Sequence, residues 1–267
     1  MICSAALKEA RARIPLREAR LLLCHVLEVT HAALEAHPER KVSPQDTARY
    51  FTLVACRAAG EPLAYLTGHR EFYGLDFHVT PDVLIPREET ELLVDIARDA
   101  PCRRILDLGT GSGCLAIAVA KQVPQAEVTA IDASAAALDV ARGNAAHHGV
   151  AVRFLQGDWF APVAGERFDL ILANPPYVAE GDPHLSQGDV RFEPRGALAA
   201  GLDGLDDIRR IVAAAGAHLA SGGQLWLEHG YDQAQAVDAL FAEAGFVGMG
   251  HLRDLAGIVR VTGGVNP

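Results

Sequence analysis

Asn174-Pro175-Pro176-Tyr177 follows the apolar run Leu170-Ile171-Leu172 and Ala173. Two consecutive prolines stop a strand and fix a stiff turn, and their carbonyls accept hydrogen bonds while the prolines donate none. Asn174 adds a side-chain carbonyl and Tyr177 a flat face. Oxygen acceptors beside an aromatic plate match a planar group bearing an NH2, and a glutamine amide and an adenine amino group both fit. An amide nitrogen is a poor nucleophile because its lone pair is delocalised. Holding both N–H bonds on oxygens fixes that nitrogen, raises its electron density and aims the lone pair at an electrophilic carbon. A structural reading of the same residues is a Pro-Pro turn with a capping Asn.

Upstream, Asp107-Leu108-Gly109-Thr110-Gly111-Ser112-Gly113 runs from one apolar strand into an apolar helix beginning near Cys114. Glycines let a backbone approach a ligand closely, and a helix N-terminus offers unpaired N–H groups. The spacing G-x-G-x-G departs from the dinucleotide fingerprint, which would need a glycine at Cys114, and no Gly-Lys-Ser/Thr end marks a nucleotide-phosphate loop. Asp132 closes the next strand about twenty residues on, placed to accept from two ribose hydroxyls or, alternatively, to cap the following helix, as Ser134 also could. In Gly157-Asp158-Trp159-Phe160, an acid before a flat aromatic suits an adenine, the carboxylate near its amino group and the ring along its face. An ordinary core aromatic is the competing reading.

These residues need a frame. Ile105–Leu108, Val128–Ile131, Val152–Leu155, Leu170–Leu172 and Leu225–Leu227 read as strands, separated by helical stretches that include Ala135–His147 and Asp232–Ala244. Such alternation predicts an α/β fold with a parallel sheet covered on both faces, whose ligands bind beyond the carboxyl ends of the strands. Ahead of it, Leu16, Ala19, Leu22, Leu23, Val26 and Leu27 recur at helical spacing after Pro15. Arg13, Arg17 and Arg20 take the opposite side of that wheel, as a solvated face or a docking surface for an acidic partner. A second helix is predicted from Pro44 to Ala59. Between Gly68 and Pro86, Phe72, Tyr73, Leu75, Phe77 and Val79 alternate around Gly74 and Asp76, which predicts a β-hairpin joining two domains.

Composition narrows the partners. With 24 basic and 34 acidic residues among 267 the net charge is −10, against the basic footprint of most nucleic-acid enzymes. No apolar run approaches membrane-spanning length, and Lys8, Glu9 and Arg11 interrupt any signal-peptide core, so a cytoplasmic protein without a membrane partner is expected. Five scattered cysteines, none spaced CxxC, argue against a disulfide framework and a structural zinc. Adjacent His147-His148 have the wrong spacing for two ligands on one face, and His229 has no evident partner, so no metal is expected.

The chain resembles the PrmC/HemK family of release factor glutamine methyltransferases over nearly its whole length. Asn174-Pro175-Pro176-Tyr177 is shared with adenine-N6 DNA methyltransferases, so the more specific matches lie elsewhere. They are Glu61-Pro62-Leu63-Ala64-Tyr65-Leu66-Thr67-Gly68, Glu71-Phe72-Tyr73, Leu84-Ile85-Pro86-Arg87 with Thr90-Glu91, Phe192-Glu193-Pro194, Asp203-Gly204-Leu205 and Leu227-Glu228-His229-Gly230 with Gln233. The resemblance implies a helical substrate-recognition domain over 1–68, a hairpin linker over 69–90, and over 91–267 a class I S-adenosylmethionine-dependent methyltransferase domain, Rossmann-like, with a seven-stranded, mostly parallel sheet. It implies that Gly109, Thr110, Gly111, Ser112, Gly113, Asp132, Trp159 and Asn174 contact S-adenosyl-L-methionine. Asn174, Pro175, Pro176 and Tyr177 would hold the glutamine of the Gly-Gly-Gln motif of class 1 peptide-chain release factors, with Asn174, Pro175 and Tyr177 serving the transfer. Arg87 and Glu193 would either order a loop over the substrate or pair with other charges. Ile258 and Val259, where the family carries polar residues, read as part of the last strand. Two rivals remain at this point: an adenine-N6 methyltransferase acting on nucleic acid, and a non-catalytic cofactor-binding scaffold.

Overall fold

A computed structural model describes residues 1–100 and 102–267. The chain divides into two compact units, Met1–His69 and Arg70–Pro267.

The first unit is helical: α1 (Cys3–Ala10), α2 (Leu16–Leu27), α3 (His31–Ala36), α4 (Pro44–Ala58) and the short α5 (Leu63–Thr67). The apolar stripe of α2 buries Ala19, Leu22, Leu23 and Val26 against Cys3, Ala6, Ala10, Tyr50 and Val54. Ser43 caps α4 by accepting from the Asp46 N–H at 3.0 Å, with Pro44 in the first turn where its missing N–H costs nothing. Glu18 and Arg57 pair at 2.7 Å, half-buried, tying α2 to α4. Arg13 lies in the turn before α2 and not on its wheel, and Arg20 pairs with Glu35 at 3.0 Å. Of the three arginines only Arg17 stays on the exposed face of α2.

The second unit is built on a seven-stranded sheet. A hairpin precedes it, β1 (His69–Phe72) and β2 (Leu75–His78), turned by Tyr73 and Gly74, both at positive φ. Two positive φ angles in a two-residue loop give the turn whose twist suits a hairpin. Then follow α6 (Glu91–Asp99), β3 (Arg104–Leu108), α7 (Cys114–Gln122), β4 (Glu127–Asp132), α8 (Ala135–His148), β5 (Arg153–Gln156), β6 (Phe168–Ala173), α9 (Asp206–His218), β7 (Leu219–Glu228), α10 (Ala234–Glu243), β8 (Val247–Arg253) and β9 (Val259–Val265). The strand order is β5-β4-β3-β6-β7-β9-β8, parallel except that β9 runs antiparallel to both β7 and β8. This is the mostly parallel α/β sheet expected of a class I methyltransferase. One apolar layer joins α6 and α7 to one face, with Phe72 and Phe77 of the hairpin packed into it. The other joins α9 and α10 to the opposite face through Ile208, Ile211, Val212, Val237 and Phe241.

Ile258 departs from the sequence reading. It sits in the turn before β9, its carbonyl accepting from the Asp254 N–H at 2.9 Å, and only Val259 joins the strand. Among the described residues no helix is long and apolar enough to cross a membrane.

Asn144 on α8 links the hairpin to the ligand end of the sheet. It is 2% exposed, accepts from the His78 N–H at 2.9 Å, and donates to the carbonyls of His78 and Ser112, each at 2.9 Å. Replacing Asn144 with Ala removes three hydrogen bonds to the backbone, the one to Ser112 buried and the two to His78 partly so. We expect a loss of roughly 2–3 kcal/mol of stability, read as a lower urea midpoint with an unchanged slope.

Candidate functional site

The strands β3, β4 and β6 run parallel, so their carboxyl ends open on one edge, where the chain leaves each strand in a loop. After β3, Gly109, Gly111 and Gly113 have φ of 74°, 55° and 80°, conformations that cost an L-residue with a side chain about 1–2 kcal/mol each. The N–H groups of Gly109 and Thr110 both donate to the Ile131 carbonyl, and that of Gly111 donates to Asp132 Oδ2 at 2.8 Å. Asp132 Oδ1 accepts from the Ser134 N–H at 2.9 Å, while Ser134 accepts from Ala137 and caps α8. Ser134, and not Asp132, is therefore the helix cap. Asp132 braces the glycine loop and retains carboxylate lone pairs toward the cavity.

That cavity has a volume of about 370 Å³, within the range of roughly 300–1,000 Å³ usual for small-molecule sites. Its walls include Gly109, Gly111, Asp132, Trp159, Asn174 and Pro176. Four carboxylates (Asp82, Asp132, Asp158 and Asp207) face one guanidinium, Arg210, so the field favours a cationic ligand. A side chain at Gly109 would come within 3.5 Å of the Trp159 ring and 3.8 Å of the Asn174 carbonyl. The bare backbone there forms a cradle suited to an S-adenosylmethionine lying against the loop. Trp159 is held at a φ of 44°, its indole N–H donating to Asp207 Oδ1 at 3.2 Å. A left-handed tryptophan is costly and marks a position held by its surroundings. Asp158 lines the cavity but its carboxylate is paired with Arg210. Thr110 and Ser112 are buried behind the loop, and the Thr110 hydroxyl donates to Asp107 Oδ2 at 2.6 Å. Burial, helped by neighbouring Asp132, pushes the Asp107 carboxyl up to about 7. Gly113 is the N-cap of α7 and packs on Ala141 and Ile117.

The loop after β6 carries the acceptors. Asn174 donates from Nδ2 to Thr90 Oγ1 at 2.9 Å, which leaves Oδ1 without a hydrogen-bond partner among the described residues. Pro175 and Pro176 are buried, and among the described residues neither carbonyl receives a hydrogen bond. The Tyr177 hydroxyl donates to Glu228 Oε1 at 3.0 Å, and its carbonyl accepts from Gln233 Nε2 at 3.0 Å. Burial and the adjacent Glu228 raise the Tyr177 phenol well above its ordinary range, so it remains a donor. Gly204 lies so close that a Cβ there would stand 2.2 Å from the Tyr177 carbonyl, and its φ is 75°. The turn is thus stapled from both sides.

A second cavity, about 280 Å³, adjoins the first: Leu84, Asn174 and Ala197 line both. Its remaining walls include Arg87, Tyr177, Val178, Glu193 and Leu198. Arg87 and Glu193 pair with each other at 2.5 Å, and Glu193 Oε2 also accepts from the Ile85 N–H at 3.0 Å. Glu193, whose side chain is fully buried, thereby fastens the loop around 190–193 to the segment 85–87. His229 is fully buried as an ordinary hydrogen-bonded polar residue, with Nε2 2.9 Å from Thr262 Oγ1 and Nδ1 2.9 Å from the Gly230 carbonyl. Among the described residues no three His, Cys, Asp or Glu side chains converge to hold a metal ion.

Sequence reasoning quoted Thr90 and Glu228 only as parts of matching motifs and gave them no role, and it missed the Asp207–Arg210 pair. Glu228 carried a usable signal, a lone acid ending the apolar run Leu225–Leu227 at a strand's carboxyl end. Thr90 carried only its place in a matching motif and Arg210 no signal at all, because their contacts depend on packing of segments distant in sequence.

Two family models match. One described as PrmC N-terminal domain covers residues 2–68, and one described as Methyltransferase small domain covers residues 88–189. The release factor glutamine methyltransferase of Burkholderia pseudomallei is 52% identical over 94% of this chain and 92% of its own length. That of Bordetella pertussis is 54% identical over 94% and 95%. Among solved structures, a methyltransferase from Pyrococcus furiosus aligns with a TM-score of 0.56 at 18% identity, covering 84% of this chain and 99% of that one. A T. thermophilus 16S rRNA N2 methyltransferase, solved with AdoMet and guanosine, aligns at 0.57 and 21% identity over 74% of this chain and 50% of that one. These last two likenesses speak for the fold alone.

Proposed function

Since the chain belongs to the family of release factor glutamine methyltransferases, we propose that it methylates the side-chain amide nitrogen (N5) of the glutamine in the Gly-Gly-Gln motif of class 1 peptide-chain release factors, using S-adenosyl-L-methionine. The observation that carries the reading is Asn174 at the junction of two cavities, its Nδ2 engaged below and its Oδ1 left to accept.

In this reading Gly109, Gly111, Asp132 and Trp159 hold the cofactor, Asp132 through the ribose hydroxyls and Trp159 along a flat base. Thr110, Ser112 and Gly113 act from behind by setting the loop's shape. When bound, S-adenosyl-L-methionine supplies an electrophilic methyl on a sulfonium sulfur. The chain's own part is to position the nucleophile. One N–H of the glutamine amide donates to Asn174 Oδ1 and the other to a carbonyl of the Pro175-Pro176 turn. Tyr177, fixed at both ends, packs along the amide plane. No strong base is needed beforehand, because the amide proton becomes acidic only after methylation. The Arg87–Glu193 pair holds the wall through which the substrate enters. The helical unit over residues 1–68 recognises the release factor, a role supported by its match to the family's N-terminal domain.

The test is mass spectrometry of a release factor incubated with the protein and S-adenosyl-L-methionine. A single added methyl on the glutamine after two glycines is expected, and none on a factor in which that glutamine is replaced by alanine. Methyl transfer to a nucleic acid in place of the factor would overturn the reading.

A further inference from the structure

Beneath Asn174 runs a chain of hydrogen bonds whose direction is fixed by its last member. Glu228 is 1% exposed and accepts twice: from the Tyr177 hydroxyl on Oε1 at 3.0 Å, and from the Thr90 hydroxyl on Oε2 at 2.6 Å. An ionised carboxylate only accepts, so both hydroxyls must give it their single protons. Thr90, 3% exposed, then has nothing left to donate, and its oxygen can only accept. The Asn174 amide must meet it with Nδ2, at 2.9 Å, and turn Oδ1 the other way.

We propose that Glu228, acting through Thr90, is a positioning residue that decides which end of the Asn174 amide faces the substrate, and that neutralising Glu228 reverses that choice. The proposal rests on the methyl-transfer reading above and adds the device that keeps its acceptor pointing outward.

The reversal follows from counting donors. A neutral Glu228 donates one hydrogen bond as well as accepting. Donation to the Tyr177 oxygen would leave the phenolic proton without an acceptor in a buried place. Donation to Thr90 Oγ1 leaves every group paired, provided Thr90 turns its proton to Asn174 and the amide flips to receive it on Oδ1. The flipped amide presents N–H groups to a substrate that itself brings N–H groups, and binding in the reactive pose is lost. Replacement by Gln imitates the neutral acid, since its Nε2 must donate to Thr90 for the same reason.

Burial leaves Glu228 close to this switch. Burial, reinforced by Glu89, raises its carboxyl from 4.5 to about 7, against the opposing hydroxyl donors and the opposing charge of Arg260. Arg260 is itself occupied by Glu89 at 3.4 Å, and burial lowers the neighbouring His229 imidazole below its ordinary range. Tyr177, which Arg87 and Arg260 act on as well, remains protonated throughout.

The experiment compares wild type with Glu228→Gln, Thr90→Val and Thr90→Ser, using a release-factor peptide that carries the glutamine and a pH series bracketing about 7. Two readouts are taken: kcat/KM for the peptide, and the side-chain 15NH2 signal of Asn174, which needs no substrate. Wild type should lose kcat/KM as pH falls through about 7, with the Asn174 signal moving over the same range. Glu228→Gln should stay at every pH roughly 10²-fold below the level wild type reaches above about 7, with wild type falling toward it at low pH, as expected when a reacting group is held in the wrong pose. It should show the low-pH Asn174 signal throughout. Thr90→Ser should follow wild type, and Thr90→Val should lose both the activity and the pH response. Calorimetry of S-adenosylhomocysteine binding, unchanged across the set, separates positioning from misfolding. An Asn174 signal insensitive to pH and to Glu228→Gln, or wild-type kcat/KM in that variant, overturns the proposal. A wild type that moves its Asn174 signal but leaves the peptide unmethylated overturns the functional reading and leaves the switch standing.

Discussion

Replacing Asn174 with Ala should abolish most turnover while sparing the cofactor. The side chain contributes one acceptor at the point where the two cavities meet, and it is anchored from below by Thr90. Losing one positioned hydrogen bond to a reacting group costs roughly 10²–10³ in kcat. Asn174→Asp is the sharper companion: it keeps an acceptor but loses the Nδ2 donor, so two carboxylates compete for the Thr90 proton and like charges crowd a buried site. Steady-state kinetics with calorimetry for S-adenosylhomocysteine reads both. For Asn174→Ala the expected result is a kcat lower by that factor with an affinity changed by less than about threefold. Retained turnover would remove Asn174 from the transfer step.

Asp132→Ala should do the reverse, weakening the cofactor first. The carboxylate accepts from Gly111 and Ser134 and is the acid at the carboxyl end of β4 that faces the cavity. If it also accepts from both ribose hydroxyls, two charge-assisted bonds of about 1.5–3 kcal/mol each are lost. Release of the Gly111 N–H then loosens the loop as well. A loss of roughly 10²-fold or more in affinity is expected on that scale. Above about ten times the new dissociation constant, kcat should recover to within a few-fold, because the amide-binding turn is untouched. A kcat that stays low at saturation would mean that Asp132 also shapes the reacting end.

Much of this was legible in the chain itself, where one local rule sufficed. The alternation of apolar runs and helical stretches gave the parallel sheet, because strands buried on both faces cannot afford polar positions. The turn at Asn174–Tyr177 was readable because two prolines permit so few backbone shapes. What stayed hidden has non-local causes. β8 escaped because Gly248 and Gly250 interrupt an exposed edge strand, and β7 extends well before Leu225 through Ser221-Gly222-Gly223, residues that read as a turn. Ile258 was misplaced by one residue because Asp254 draws the chain into a tight turn, accepting from both Ala256 and Ile258. The buried relay through Glu228 joins residues 138 apart in sequence, a closeness no periodicity encodes.

The central claim is geometric, and a crystal structure with S-adenosylhomocysteine and a glutamine-bearing release-factor peptide tests it most directly. The account expects the glutamine amide nitrogen within hydrogen-bond distance of Asn174 Oδ1 and of a Pro175 or Pro176 carbonyl, with Asn174 Nδ2 still on Thr90. A glutamine seated elsewhere, or an Asn174 amide turned with Oδ1 toward Thr90 while the peptide is bound, would contradict it.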